Sequence, residues 1–158
     1  PTDATPENRP FLINAYDNTI VQTDHILASV IAMLGKQHCA AAMLYTSDHG
    51  ENIFDDARRL FLHASPRPSA YDTDVPLIAW TSPEYARRHP SVVKAMQGNT
   101  AKGVQSSASI FPTMLSIAGI RTKACADSLS LTSPSYRLGT RLYLNDHNEA
   151  VMLEEGWK

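Results

Sequence analysis

Ala40-Ala41-Ala42-Met43-Leu44-Tyr45-Thr46-Ser47-Asp48-His49-Gly50-Glu51 is an apolar run that ends abruptly in a polar corner. From Cys39 to Thr46 it reads as continuously apolar rather than alternating, the pattern of a central parallel strand covered on both faces. In a parallel sheet, ligands gather at the carboxyl ends of the strands, and Ser47-Asp48-His49-Gly50 occupies such an end. Neighbouring side chains on an extended strand point to opposite faces. Asp48 and His49 can therefore serve one metal only if the chain leaves the strand there, and Gly50 permits a sharp departure. A carboxylate oxygen beside an imidazole nitrogen suits zinc or manganese better than magnesium or calcium, which prefer all-oxygen shells. Two donors do not complete a catalytic zinc site, which normally holds three protein ligands and an open position. By itself the pair also admits a purely structural reading.

Working outward, Asn14 to Leu34 turns helical, with Ile20, Leu27, Ile31 and Leu34 recurring at three-to-four-residue steps and Gly35 as a stop. Asp24 falls in register with that stripe and reads as a carboxylate tied to nearby backbone. Residues 1–13, polar and proline-rich, read as a linker or ragged start. After the corner, residues 47–74 form a long polar connection of the kind that tends to be functional. Val75-Pro76-Leu77-Ile78-Ala79-Trp80 is a second apolar strand, and Ser82-Pro83-Glu84 starts a helix interrupted at Pro90 and resumed to Met96. Ser106 to Ala118 is a further helix with Ile110, Met114, Leu115 and Ala118 as its core face. Pro112 implies a start nearer Ser109, or a kink. Arg141–Asn145 and Glu149–Leu153 read as a hairpin around Asn145-Asp146-His147-Asn148. The fold class expected is α/β: a layered domain with a mostly parallel central sheet, flanking helices and a C-terminal β-hairpin.

The 158 residues suit one domain, and 43% apolar with 19% charged residues is ordinary for a globular chain. A net charge of -2, with no basic stripe, gives no case for nucleic acid or an anionic membrane surface. No run approaches the roughly 20 apolar residues of a spanning helix. Cys39 and Cys125 are too few for a disulfide framework. Cys39 reads as a small buried residue, and one bridge between the two remains open.

His63 closes the apolar patch Leu60-Phe61-Leu62-His63 inside the polar connection, which can anchor the loop and aim the imidazole inward. There it can bind substrate, assist proton transfer or add a ligand; a surface histidine beside a hydrophobic tether is the alternative. Arg58, Arg59 and Arg67 can each grip an ester oxyanion through a bidentate fork.

Tyr16-Asp17-Asn18-Thr19-Ile20 with Thr23-Asp24, then Tyr45 to Glu51, Leu62-His63 and Val75 to Trp80 resemble, in order, the carboxyl-terminal half of phosphoethanolamine transferases. These belong to the sulfatase-like branch of the alkaline phosphatase superfamily. Ser109-Ile110-Phe111-Pro112-Thr113-Met114-Leu115 with Ala118-Gly119-Ile120 looks like the helix that follows in that branch. The resemblance covers roughly residues 14–121 and not the last stretch. It implies a catalytic zinc (manganese or calcium as alternatives), with Asp48 and His49 as ligands. It also implies that His63 is the active-site histidine near the transferred phosphoryl group; His63 and, from its guanidinium fork, Arg67 are the expected substrate-binding residues.

The same resemblance implies a threonine nucleophile that becomes phosphorylated, and a glutamate ligand, in segments upstream of Asn14. The chain is thus expected to be a carboxyl-terminal piece of the catalytic domain, inactive alone and holding zinc weakly or not at all. Its partners would be a phospholipid donor, a glycolipid or glycan acceptor and the missing amino-terminal half. The parent would sit in a bacterial inner membrane with this soluble domain on the periplasmic side. Sulfatase is the alternative, since Ser-Asp-His-Gly occurs there too. Sulfatases usually place a lysine soon after the motif, and no lysine lies between Lys36 and Lys94 here. A non-catalytic binding or scaffold domain of the same fold is the second alternative.

Overall fold

The computed structural model describes residues 3–63, 65, 67–145 and 147–153. Pro1 and Thr2 of the expected linker, and Asp146 of the expected hairpin turn, lie outside them. The elements run α1 (Arg9–Gly35), β1 (Ala42–Thr46), β2 (Asn52–Ile53), β3 (Phe61–Leu62), α2 (Ala70–Thr73), β4 (Leu77–Thr81), α3 (Pro83–Arg88), α4 (Pro90–Asn99), α5 (Ser106–Ile117), β5 (Leu142–Leu144) and β6 (Ala150–Met152). They fall into two compact units.

Helix α1 begins at Arg9, so residues 9–13 are helix rather than linker, preceded by a 3-10 turn over Pro6–Asn8. Pro10 sits in the first turn, where its missing N–H has no helical partner to lose. Tyr16, Thr23, Leu27, Val30, Ile31 and Leu34 form the half-buried stripe of α1, while Ile20 and Asp24 are exposed.

One unit comprises Leu34–Thr46 and Leu77–Leu142. In it β1 pairs with β4, in register from Ala42↔Thr81 to Thr46↔Leu77, and the pairing is antiparallel. This corrects the expected mostly parallel sheet. Continuous apolarity reports two covered faces and carries no information on strand direction, and the long connection from β1 to β4 allows either. The ladder continues through Ser82, whose N–H donates to Ala41 O at 2.8 Å and whose hydroxyl donates to Cys39 O at 2.8 Å. The same Ser82 oxygen accepts from Tyr85 N and caps α3. Met96, Leu131 and Tyr136 form the core, with Leu77, Val92, Val93, Val104 and Ile117 packed on it.

In α5 the buried face is Ser109, Pro112 and Thr113, while Met114 is 55% exposed and Ala118 is exposed. The helix keeps its Ser106 start with Pro112 inside. It turns its small polar side to the chain at 130–132, where Thr113 Oγ1 accepts from Leu131 N at 3.0 Å and Thr132 Oγ1 donates to Ser116 Oγ at 2.6 Å. Ile110 and Leu115 of the expected face are half-buried and Ile117 packs on the core, so these hydrogen bonds act alongside apolar contact. Cys39 is exposed and Cys125 half-buried, and both are free thiols.

The other unit comprises Pro1–Met33, Ser47–Pro76 and Tyr143–Lys158. Its central connection is structured. β2 and β3 form an antiparallel hairpin, Asn52↔Leu62 and Ile53↔Phe61, with Phe54 and Phe61 stacked at 5.1 Å. Ser69 caps α2 in a reciprocal capping box with Asp72. Arg9 ties α1 to this hairpin, donating to Ile53 O and to Asp55 Oδ1, both at 2.9 Å. The hairpin of β5 and β6 forms as expected, and Tyr143 donates its hydroxyl proton to Ser65 O.

Candidate functional site

The corner after β1 is built by short local bonds. Ser47 Oγ donates to His49 O at 2.7 Å, and Asp48 Oδ1 accepts from His49 N at 3.1 Å. Gly50 is buried and donates its N–H to Asp72 O at 3.0 Å. A Cβ on Gly50 would lie 2.1 Å from Tyr71 O. Glycine is needed there for the close approach of α2's backbone. Its φ lies outside the left-handed region, so the sequence expectation of a conformational hinge is replaced by one of contact.

That seating places the candidate donor atoms. His49 Nδ1 lies 3.0 Å from Gly50 O, an arrangement in which Nδ1–H donates to the carbonyl and Nε2 carries the lone pair. Nε2 faces Asp48 Oδ2 at 3.7 Å, with the Asp48 side chain 88% exposed. Two ligand atoms about 2.0–2.1 Å from a tetrahedral zinc stand about 3.4 Å apart. The 3.7 Å between Asp48 Oδ2 and His49 Nε2 is close to that separation.

His63 lies beside this corner. Its ring stacks on that of His49 with centroids 3.6 Å apart, and its Nδ1 is 2.9 Å from Glu51 Oε1. A carboxylate on Nδ1 orients the ring and leaves Nε2 for an incoming oxygen. Glu51 Oε1 also lies 3.7 Å from His49 Nδ1, and Glu51 Oε2 is buried with no hydrogen-bond partner among the described residues. Ligand atoms of His49, Glu51 and His63 all fall within 4.8 Å of one another, a second set able to hold a metal ion. Glu51 is the functional candidate that sequence reasoning left without a role. Its signal was its place directly after Gly50.

Of the sequence candidates, Asp48, His49 and His63 come together here. Arg67 is exposed, its N–H 3.3 Å from Ser65 Oγ, and none of its hydrogen bonds among the described residues reaches the cluster. Arg58 is engaged by Asp56, through Nη2 at 2.6 Å and Nε at 2.9 Å, and by Pro68 O. The Asp56 carboxylate raises the Arg58 guanidinium further above its ordinary value.

A carboxylate and a tautomer-fixed imidazole next to a carboxylate–histidine pair suit metal-assisted chemistry on oxyacid esters. The sulfatase family profile matches residues 2–120, and the chain belongs to the sulfatase family. Curated relatives include phosphoethanolamine transferases. It is 32% identical over 117 residues to phosphoethanolamine transferase EptA of Escherichia coli K12, covering 71% of this chain and 21% of that protein. It is 32% identical over 132 residues to EptA of Salmonella typhimurium, covering 80% of this chain and 24% of that protein. The chain therefore spans about a fifth to a quarter of these relatives.

Among solved structures, the C-terminal periplasmic domain of EptC from Escherichia coli, in complex with zinc, superposes with a TM-score of 0.79 at 22% identity. That match covers 97% of this chain and 42% of the other. The C-terminal periplasmic domain of EptC from Campylobacter jejuni gives 0.70 at 26% identity, covering 88% and 45%. The fold is thus an α/β fold similar to the EptC periplasmic domain, and no helix among the described residues is long and apolar enough to cross a membrane.

Proposed function

We propose that this chain supplies the metal-binding corner and the active-site histidine of a phosphoethanolamine transferase. In that reading, phosphoethanolamine moves from a phospholipid donor to a glycolipid or cell-envelope glycan through a covalent phosphothreonine. The observation that carries it is His49, whose Nδ1–H is committed to Gly50 O while Nε2 faces Asp48 Oδ2. Asp48 and His49 would hold zinc, with manganese or calcium as alternatives. The bound cation would supply charge stabilisation at a phosphoryl oxygen.

His63, with Nδ1 held by Glu51, presents Nε2 to the oxygen that leaves or enters and carries its proton. Arg67, outside the cluster, is available to an oxyanion further out. In this reading the nucleophilic threonine and the glutamate ligand come from segments upstream of Asn14. Two protein donors fall short of the three that a catalytic zinc normally takes, so the Asp48–His49 pair by itself would hold zinc weakly.

The test uses the parent protein with a fluorescent phosphatidylethanolamine, comparing wild type with Asp48→Asn and His63→Ala. Transfer is expected to fall by about 10²-fold or more in each, since general acid–base and metal-ligand losses are of that order. Unchanged transfer in both variants refutes the assignment. Tight stoichiometric zinc in this chain after dialysis would refute the weak-binding half.

A further inference from the structure

We infer that Asn52 is a positioning residue: by gripping the Leu62 carbonyl it holds that residue in a left-handed conformation that aims His63 at His49 and Glu51. Leu62 has φ 64°, where a leucine is strained by about 1–2 kcal/mol, and it is 48% exposed, so its own packing offers little to hold it there. Unlike glycine, it adopts this backbone only when its surroundings impose it.

Beyond the ladder pairing of Asn52 with Leu62, the imposing group is the side chain of Asn52, a residue only 1% exposed. Its Nδ2 donates to Leu62 O at 2.8 Å and to Asp72 Oδ2 at 3.3 Å, and its Oδ1 accepts from Ser69 Oγ at 2.6 Å. Asp72, 4% exposed, accepts through Oδ1 from Ser69 N at 2.7 Å. The grip is thus anchored in the capping box of α2, whose backbone also receives the Gly50 N–H. One buried network therefore fixes the residue before His63 and the residue after His49. The two rings it sets in place stack at 3.6 Å. A buried amide needs partners, and any polar contact would serve that need. Here the partner is the carbonyl one residue before the histidine of the site, at a left-handed turn.

The placement of the two rings is a matter of geometry alone; its catalytic consequence rests on the reading of His63 above. The experiment separates the two. In the full chain, Asn52→Ala is followed by thermal melting and by nuclear magnetic resonance of the histidine rings. The expected result is a cooperative fold in which His63 no longer stacks on His49 and its ring-current shift is abolished. Adding Leu62→Asn to Asn52→Ala restores the stacking, because asparagine tolerates the left-handed region. A general packing role for Asn52 would give no such rescue.

If Asn52→Ala does not fold, Leu62→Val carries the test at a half-exposed position. A β-branched residue resists this φ, so the rings separate in a folded chain. Unchanged ring stacking in the folded Asn52→Ala chain, or in Leu62→Val, overturns the proposal. In the parent enzyme, Asn52→Ala should lower kcat about 10- to 100-fold with KM little changed, as a misplaced catalytic group does. Displaced rings with unchanged transfer would refute the role of His63 and leave the positioning intact.

Discussion

Replacing Gly50 with alanine probes the contact on which the site rests. The new Cβ would stand 2.1 Å from Tyr71 O, 3.2 Å from Tyr71 C and 3.4 Å from Asp72 Cα. All three are backbone atoms, so no side-chain rotation relieves the overlap. The corner and the first turn of α2 must move apart, which also weakens the 3.0 Å bond from Gly50 N to Asp72 O. Overpacking of this kind costs about 1–3 kcal/mol, and the weakened hydrogen bond adds about 1 kcal/mol. The expected loss is therefore about 2–4 kcal/mol. In a chain of this size that lowers the melting temperature by roughly 10 °C. Urea unfolding of wild type and Gly50→Ala with matched m-values measures it. A loss below about 0.5 kcal/mol, the range of an ordinary surface change, would refute the close-approach account and return Gly50 to the role of a flexible hinge.

Arg9→Met, which keeps the stem and removes the bonds to Ile53 O and Asp55, is expected to cost about 1–2 kcal/mol by denaturant unfolding. Thr113→Val leaves the Leu131 N–H without its buried acceptor at nearly constant volume; the expected cost is about 1–3 kcal/mol, and a neutral result would remove that bond as a reason α5 buries its polar face. Arg87 and then Arg88, hydrogen-bonded to Glu84, hold its carboxyl below the ordinary value of 4.5. A depressed carboxyl contributes stability above its unfolded value and loses it as pH falls through the folded one. Melting of wild type should thus drop more steeply below about pH 4.5 than that of Glu84→Gln, and the gap should close in high salt.

Legibility in the sequence follows the length scale of each feature. The run Cys39 to Thr46 and the stripe Leu27, Ile31 and Leu34 are long enough to reveal a strand and a helix. Strand direction is not legible, because apolarity on both faces is the same for β1 whichever way β4 runs. Residues 9–13 read as linker because Pro6 and Pro10 resemble loop punctuation, whereas both occupy first-turn positions. The hairpin of β2 and β3 has strands of two residues, below any periodicity.

Asp48, His49 and His63 are legible as candidates because their chemistry and order are distinctive. Their partners are less so: Glu51 meets His63 across twelve positions, and Asn52 meets Ser69 and Asp72 across seventeen and twenty. Ser69 and Asp72 do carry a visible capping-box spacing, obscured by the prolines around them.

Helix α1 has a consequence for how the chain breathes. Its 27 residues contain none that is buried, and Phe11, Ile20, Val21, Ile26 and Met33 are each more than half exposed. A helix draws most of its persistence from packing, so its amides should not exchange with solvent at one common rate. The amides of its first turn, which have no intrahelical acceptor, should exchange fastest, and protection should be best along the half-buried stripe from Tyr16 to Leu34, at a modest level because no residue of the helix is buried. The longest element of the fold would then be among the first to open.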